Sequence, residues 1–338
     1  MAGEIAVAPA PADQQTPPPA EFNPYESGAA PFKARSATPV AIETTQLTKR
    51  YDSMVAVDHL DLRVEKGEIF GFLGPNGAGK TTTMRMLLGL IRPTSGSASI
   101  LGLDVATDLP AILARTGSMI EEPAFYPYLS GRDNLRAMAR LSRISEDLVA
   151  GVLQRVDLAS AADKHFKAYS MGMKQRLALG AALLADPEIL ILDEPANGLD
   201  PAGIVEMRDL MKELKHECRT VLISSHVLHE VEQICDRIAI VNGGRIVVQG
   251  RVEELLHHND KVEIRIDQPQ EAADVLSTVP WIGHVDRSID HILVSAPLER
   301  AAEINRLLAD QGLYAAVIKP QEESLEQYFL EVTEGAKS

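Results

Sequence analysis

Aromatic residues are scarce in this chain, at 4%, and there are two cysteines, Cys218 and Cys235. Two cysteines exclude a disulfide scaffold and a four-cysteine zinc site. Both are expected to be reduced, buried or semi-buried thiols of a cytosolic protein. Long apolar runs are missing too. The most apolar region, Leu177 to Leu192, is broken by Asp186-Pro187-Glu188, and a membrane helix needs roughly 18–20 unbroken residues. Any membrane role therefore needs a partner. The first residues show no basic start followed by an apolar core, so no secretory signal is expected. Positive charge is also short: 33 Lys and Arg against 48 Asp and Glu leave a net charge of −15. Such acidity argues against broad affinity for nucleic acid. What remains is a chain of 338 residues, 45% hydrophobic, with room for one large or two modest domains.

Residues 1–39 are rich in Ala and Pro and read as a disordered extension, since they hold too little apolar surface to offset ordering. A short partner-binding motif there is the alternative. Val40-Ala41-Ile42-Glu43-Thr44 reads as a strand. The runs Val55-Ala56-Val57 and Leu60-Asp61-Leu62-Arg63-Val64 suggest a small antiparallel sheet leading into an α/β core. Tyr51, just before them, suits either stacking on a purine or an exposed position.

The strongest signal is Gly74-Pro75-Asn76-Gly77-Ala78-Gly79-Lys80-Thr81-Thr82. It fits G-x-x-x-x-G-K-[ST], between the strand-length run Glu68–Leu73 and a helical stretch, Thr83–Leu90. Glycines let the backbone turn its N–H groups inward, and the helix start adds partial positive charge. Lys80 can then neutralise terminal phosphates and Thr81 can ligate Mg²⁺. The loop alone promises a nucleotide phosphate and no particular machine.

Beyond it, Ala98–Gly102 and Thr116–Ile120 read as strands. From Ser130 to about Leu184 the pattern is helical, with Leu135, Met138, Ala139 and Leu141 on one apolar face and Leu148, Val152, Leu153 and Val156 on another. Ile189-Leu190-Ile191-Leu192-Asp193-Glu194 reads as a central parallel strand buried on both faces, ending in two acids. Beside a phosphate loop, Asp193 is the expected Mg²⁺ holder and Glu194 the carboxylate that activates water. Thr220–Ser225 is one more buried strand, with His226 at its end, structural or catalytic. From Lys261 the order strand, helix, strand, strand, helix, strand (Val262–Ile266, Gln270–Ser277, Ile282–Arg287, His291–Ser295, Leu298–Asp310, Leu313–Ile318) is the ferredoxin-like arrangement. A last amphipathic helix, Ser324 to Thr333, carries Leu325, Tyr328 and Phe329.

Together these residues resemble the ATP-binding cassette (ABC) ATPases, over about Val40 to Glu254. Tyr51 matches the adenine-stacking aromatic, Gly74–Thr82 the Walker A loop, Ile189–Glu194 Walker B, Asn197-Gly198-Leu199-Asp200 the D-loop and His226 the switch histidine. Tyr169-Ser170-Met171-Gly172-Met173 stands at the signature. The resemblance implies a P-loop α/β cassette at residues 40–258, with a RecA-like core, an antiparallel β subdomain and a helical subdomain. A small α+β ferredoxin-like accessory domain would follow at residues 259–338. It also implies a head-to-tail pair of cassettes, with two copies of this chain as the expectation. Each ATP then lies between one Walker A loop and the facing signature, where Ser170 and Gly172 open a helix toward the γ-phosphate. Mg²⁺ and ATP are the expected cofactors. Glu194 would be the general base, with Lys80 and His226 at the γ-phosphate and Asp200 in the D-loop.

Two departures stand out. The usual L-S-G-G-Q loses one glycine and its glutamine here. The glutamine that usually contacts Mg²⁺ and water aligns with Glu121, a carboxylate that can ligate the metal yet adds negative charge. With Asn197–Ile204, both are similar to the bacitracin and lantibiotic export and immunity subgroup. Separate permease subunits are implied, on the inner face of the cell membrane, received at Glu121–Ser130 with Phe125, Tyr126 and Tyr128, a segment whose alternative reading is a locally packed loop. A drug, peptide antibiotic or lipid-like substrate is the expectation. The alternative, a cassette ATPase acting on ribosomes or nucleic acid, usually carries two cassettes or a long coiled coil. A kinase or GTPase lacks the signature and the switch histidine.

Overall fold

The computed structural model describes residues 39–121, 124–256, 261–321 and 325–335. The extension up to Thr38, Glu122-Pro123, the expected domain boundary near residue 258, and Ser324 at the expected start of the last helix lie outside them. Among the described residues, no helix is long and apolar enough to cross a membrane.

Two sheets flank the phosphate loop. The first has five strands, β1 (Val40–Tyr51), β2 (Met54–Leu60), β3 (Arg63–Glu65), β5 (Ser95–Ile100) and β6 (Leu103–Asp104), all antiparallel. Leu60–Val64 was expected as one strand and is instead broken, because β1 pairs first with β3 and then with β2. At the break the Thr44 hydroxyl donates to the Leu60 carbonyl at 2.7 Å and accepts the Leu62 N–H at 2.8 Å. Such a bridge satisfies backbone groups that the ladder leaves behind.

The second sheet has six strands in the order β11-β10-β4-β9-β8-β7. These are β4 (Ile69–Leu73), β7 (Thr116–Met119), β8 (Ile189–Asp193), β9 (Thr220–Ser225), β10 (Arg237–Asn242) and β11 (Arg245–Arg251). All neighbours are parallel except β10 and β11. Strands β4, β8 and β9 are buried at every position, as an unbroken apolar run covered on both faces should be. Alternate residues feed two cores. Phe70, Phe72, Ile189 and Ile191 pack toward the antiparallel sheet and α1 (Lys80–Leu87). Ile69, Leu73, Leu190 and Leu192 pack toward the helices on the other face. Each such side chain stabilises the fold by about 1.5–3 kcal/mol.

Those helices are α3 (Gly131–Leu141), α4 (Leu148–Arg155), α5 (Met171–Leu183), α6 (Pro201–His216) and α7 (Leu228–Ile234); the short α2 (Leu109–Leu113) precedes β7. The expected apolar faces are only half right. Leu135, Ala139, Leu153 and Val156 are buried, whereas Leu141 is 81% exposed and Met138 and Leu148 also face outward. Cys235 is buried and Cys218 is exposed, which corrects the expectation for Cys218. It follows the last turn of α6 with φ 60°, and its N–H donates to the Lys215 carbonyl at 2.8 Å. That is the left-handed helix-terminating position that glycine usually fills.

After α8 (Val252–Leu256) comes a four-stranded antiparallel sheet, β13-β14-β12-β15, from β12 (Lys261–Ile266), β13 (Val285–Arg287), β14 (His291–Ser295) and β15 (Ala315–Gln321). Helices α9 (Pro269–Leu276) and α10 (Ala301–Asp310) pack on it through Leu276, Ile304 and Leu308. The expected strand Ile282–Arg287 shortens because Gly283 and His284 bond the Ser295 backbone individually, at 2.8 Å each. The expected helix from Leu298 opens with a single 3₁₀ turn before α10.

The last helix, α11 (Leu325–Gly335), returns to the first part of the chain and lies on α7. Leu325 is fully buried in the core built by α5, α6 and α7, with Tyr328 and Phe329 against it. The Leu325 N–H donates to Glu232 of α7 at 3.2 Å. Leu325→Ala is expected to remove about 2–5 kcal/mol of this docking. Faster amide exchange across residues 325–335, with ATP affinity unchanged, is the predicted reading. Unaltered exchange would show the helix held by other contacts.

Candidate nucleotide site

Strand pairing sets the site. Leu73 of β4 pairs with Ser225 of β9, and Asp193 of β8 pairs with Ser224. Three strand ends therefore finish level at one sheet edge, where ligands bind in open α/β sheets. The loop leaving β4 exposes Pro75, Asn76 and Gly77 and buries Ala78, Gly79 and Lys80. Gly79 has φ 107°, and a Cβ there would meet the Ala56 carbonyl oxygen at 2.5 Å. Only glycine fits. From Lys80 the chain is helical, with Thr81 and Thr82 in the first turn.

Lys80 is 7% exposed. Its Nζ donates to the Gly74 carbonyl at 2.7 Å and the Pro75 carbonyl at 3.4 Å, and stands 3.7 Å from Glu194 Oε1. The Thr81 hydroxyl donates to Asp193 Oδ2 at 2.7 Å, and Ser224 donates to the other oxygen of the same buried carboxylate. Hard oxygen donors of this kind suit Mg²⁺, which keeps water and phosphate ligands and needs only one or two from the protein.

Glu194 has φ 50°, a left-handed conformation for a non-glycine residue. That costs about 1 kcal/mol or more and persists where surrounding contacts fix it. Two do: its N–H donates to Ser224 Oγ at 2.9 Å, and its Oε2 lies 2.7 Å from His226 Nδ1. Lys80, Thr81, Asp193, Glu194 and His226 thus form one cluster. Ser224 belongs to it as well. A serine pair ending an apolar strand was its signal in the sequence.

Ser170, Gly172 and Asp200 form a second cluster. Ser170 is the N-cap of α5 and accepts the Met173 N–H at 3.3 Å; Asp200 caps α6 by accepting the Gly203 N–H at 2.9 Å. A Cβ on Gly172 would touch Leu199, and one on Gly198 would touch Met171. Gln175 donates to the Asn197 carbonyl at 3.4 Å. The helix start and the Asn197–Asp200 segment are therefore packed as a unit.

Tyr51 is 41% exposed at the β1–β2 hairpin, opposite Met54, with Lys49 Nζ 4.9 Å from its ring centre. Strand β2 borders the phosphate loop through Ala56 and Val57. Glu121, two residues past β7, has φ 63° and accepts from Arg85 of α1. The hairpin turn Gly243-Gly244 is readable in the sequence, but its contact with the phosphate loop was not foreseen. Gly244 donates its N–H to the Ala78 carbonyl at 3.1 Å and accepts the Asp58 N–H at 2.9 Å, bracing the loop against β2. The Arg245 guanidinium beside Asp58, aided by His59, holds that carboxyl below its ordinary range. No local pattern marks such a contact.

A phosphate loop between a buried strand and a helix, with acid and hydroxyl groups converging on it, defines a nucleotide-binding P-loop protein. A family model described as ABC transporter matches residues 57–197. The bacitracin transport ATP-binding protein BcrA of Bacillus licheniformis is 42% identical over 87% of this chain and 97% of its own length. The daunorubicin resistance ATP-binding protein DrrA3 of Streptomyces coeruleorubidus is 36% identical over 87% and 96%. A solved structure of an ATP binding subunit of an ABC transporter superposes with TM-score 0.58 at 29% identity, over 64% of this chain and 91% of that one. The chain belongs to the ABC transporter ATP-binding family: it is the ATP-hydrolysing subunit of such a transporter.

Proposed function

We propose that this subunit drives export of a drug, peptide antibiotic or lipid-like molecule through separate permease subunits, at the inner face of the membrane. Support for export comes from the relatives, whose names carry bacitracin transport and daunorubicin resistance. The observation that carries the chemistry is Glu194 held between His226 at 2.7 Å and Lys80 at 3.7 Å.

Glu194 accepts a proton from water as the water oxygen attacks the γ-phosphorus in line. The bond to the bridging oxygen breaks, leaving ADP and phosphate. Lys80 and the N–H groups of Gly77, Ala78 and Gly79 hold the phosphates, with Gly74, Pro75 and Asn76 shaping the turn and Thr82 extending the helix start. Thr81 and Asp193 are the residues that would hold Mg²⁺, with Glu121 as the third candidate. Mg²⁺ would supply charge neutralisation on the β- and γ-phosphates. His226 orients Glu194, and Tyr51 stacks on adenine. Ser170 and Gly172 of a second copy complete the site, and Asp200 stands at the facing junction. Residues 40–258 act as the cassette. Residues 259–338 form an accessory domain whose β-α-β-β-α-β order and antiparallel pairing support a ferredoxin-like reading.

Co-purification from detergent-solubilised membranes tests the assignment. Recovery of a membrane protein with stimulated ATP turnover is expected. A ribosome or nucleic acid recovered with no membrane protein would overturn it.

A further inference from the structure

Glu121 is one carboxylate more than a phosphate site tolerates easily. It lies just beyond β7, whose Met119 pairs with Leu192 of β8, so it emerges at the edge that carries Asp193 and Glu194. Three acids then share the edge with Lys80 as the buried cation. Arg85 supplies the missing charge. It follows Thr81 by four positions on α1 and so stands on the same helix face, one turn along. Its Nη2 donates to Glu121 Oε1. The side chains are 35% and 60% exposed, so the pair adds little to stability. Glu121 nevertheless sits in a left-handed conformation, φ 63°, a strain that stability alone does not explain.

We propose that Arg85 is a positioning residue that offsets the charge of Glu121, so that this carboxylate has two alternative partners, Arg85 and the cation accompanying ATP. With Arg85 present, Glu121 need not repel the phosphates. With Mg²⁺ present, the carboxylate gains a second counter-charge and Arg85 matters less. This rests on the nucleotide-site reading above.

The test compares full-length wild type, Arg85→Met, Arg85→Lys, Glu121→Gln and the double variant Arg85→Met/Glu121→Gln. ATP affinity is measured by calorimetry in Mg²⁺ and in EDTA. Arg85→Met is expected to weaken ATP in EDTA by about tenfold, the size of one uncompensated charge near a surface. In Mg²⁺ the loss should be several times smaller. Arg85→Lys should stay close to wild type in both buffers. In the Glu121→Gln background, Arg85→Met should change neither affinity. An equal loss with and without Glu121, or no loss in either, overturns the pairing role. Wild-type chain that fails to bind ATP in both buffers sinks the nucleotide site itself, a separate and recognisable failure.

Discussion

Glu194→Gln is expected to reduce ATP turnover by about 10²–10⁴-fold, the usual contribution of a positioned general base. ATP affinity should stay near wild type. The amide has the shape of the carboxylate, so the Ser224 contact to the residue 194 backbone, 2.9 Å in the structure, is untouched. An amide oxygen can still accept from His226, now 2.7 Å from Glu194. What is lost is the basic oxygen proposed to take the proton from water. If hydrolysis releases a pair of cassettes, as proposed, it would then stall, and ATP should trap a dimer visible by size exclusion. Turnover near wild type would remove Glu194 from the base role. Loss of turnover with loss of ATP binding would instead indicate a collapsed site, because Lys80 also faces this carboxylate.

Much of this arrangement was legible in the sequence. Strands β4, β8 and β9 are short apolar runs that end in chemistry, and a parallel sheet must bring such ends to one edge. Glycine spacing announced the phosphate loop because only glycine fits at Gly79. The supports were harder to read. Arg85 looks like any charged residue on a helix, and its partner is 36 positions away. The Gly243-Gly244 turn reads as a hairpin, and its bond to Ala78 arises only when the two sheets meet. Helical periodicity showed Met138 and Leu141 as apolar, yet both lie outward. Periodicity finds a face and not what covers it. Leu325, Tyr328 and Phe329 marked α11 as amphipathic; that the helix docks on α7, just after His226, is a tertiary fact. Cys218 was misjudged because a non-glycine residue fills the left-handed turn closing α6.

Lys80→Ala should have the other large effect, on binding more than on chemistry. A buried ammonium at the start of α1 is the proposed principal counter-charge for the terminal phosphates, and charge-assisted bonds to phosphate are among the strongest a side chain makes. Its loss is expected to weaken ATP by roughly 10–100-fold, the equivalent of one such bond in a partly dry site. The substitution also acts without nucleotide. Lys80 Nζ holds the Gly74 carbonyl at 2.7 Å and faces Glu194 at 3.7 Å; removing it leaves a buried acceptor and a carboxylate without their cation. The loop should therefore loosen as well, and amide exchange across Gly74–Gly79 separates the two contributions. Lys80→Arg helps to divide them further. Its planar guanidinium restores charge but not the compact point contact that fits beneath the loop, so partial recovery of loop protection with poor ATP affinity is expected. Calorimetry on Lys80→Ala that returned wild-type affinity would mean the phosphates are held by backbone N–H groups alone.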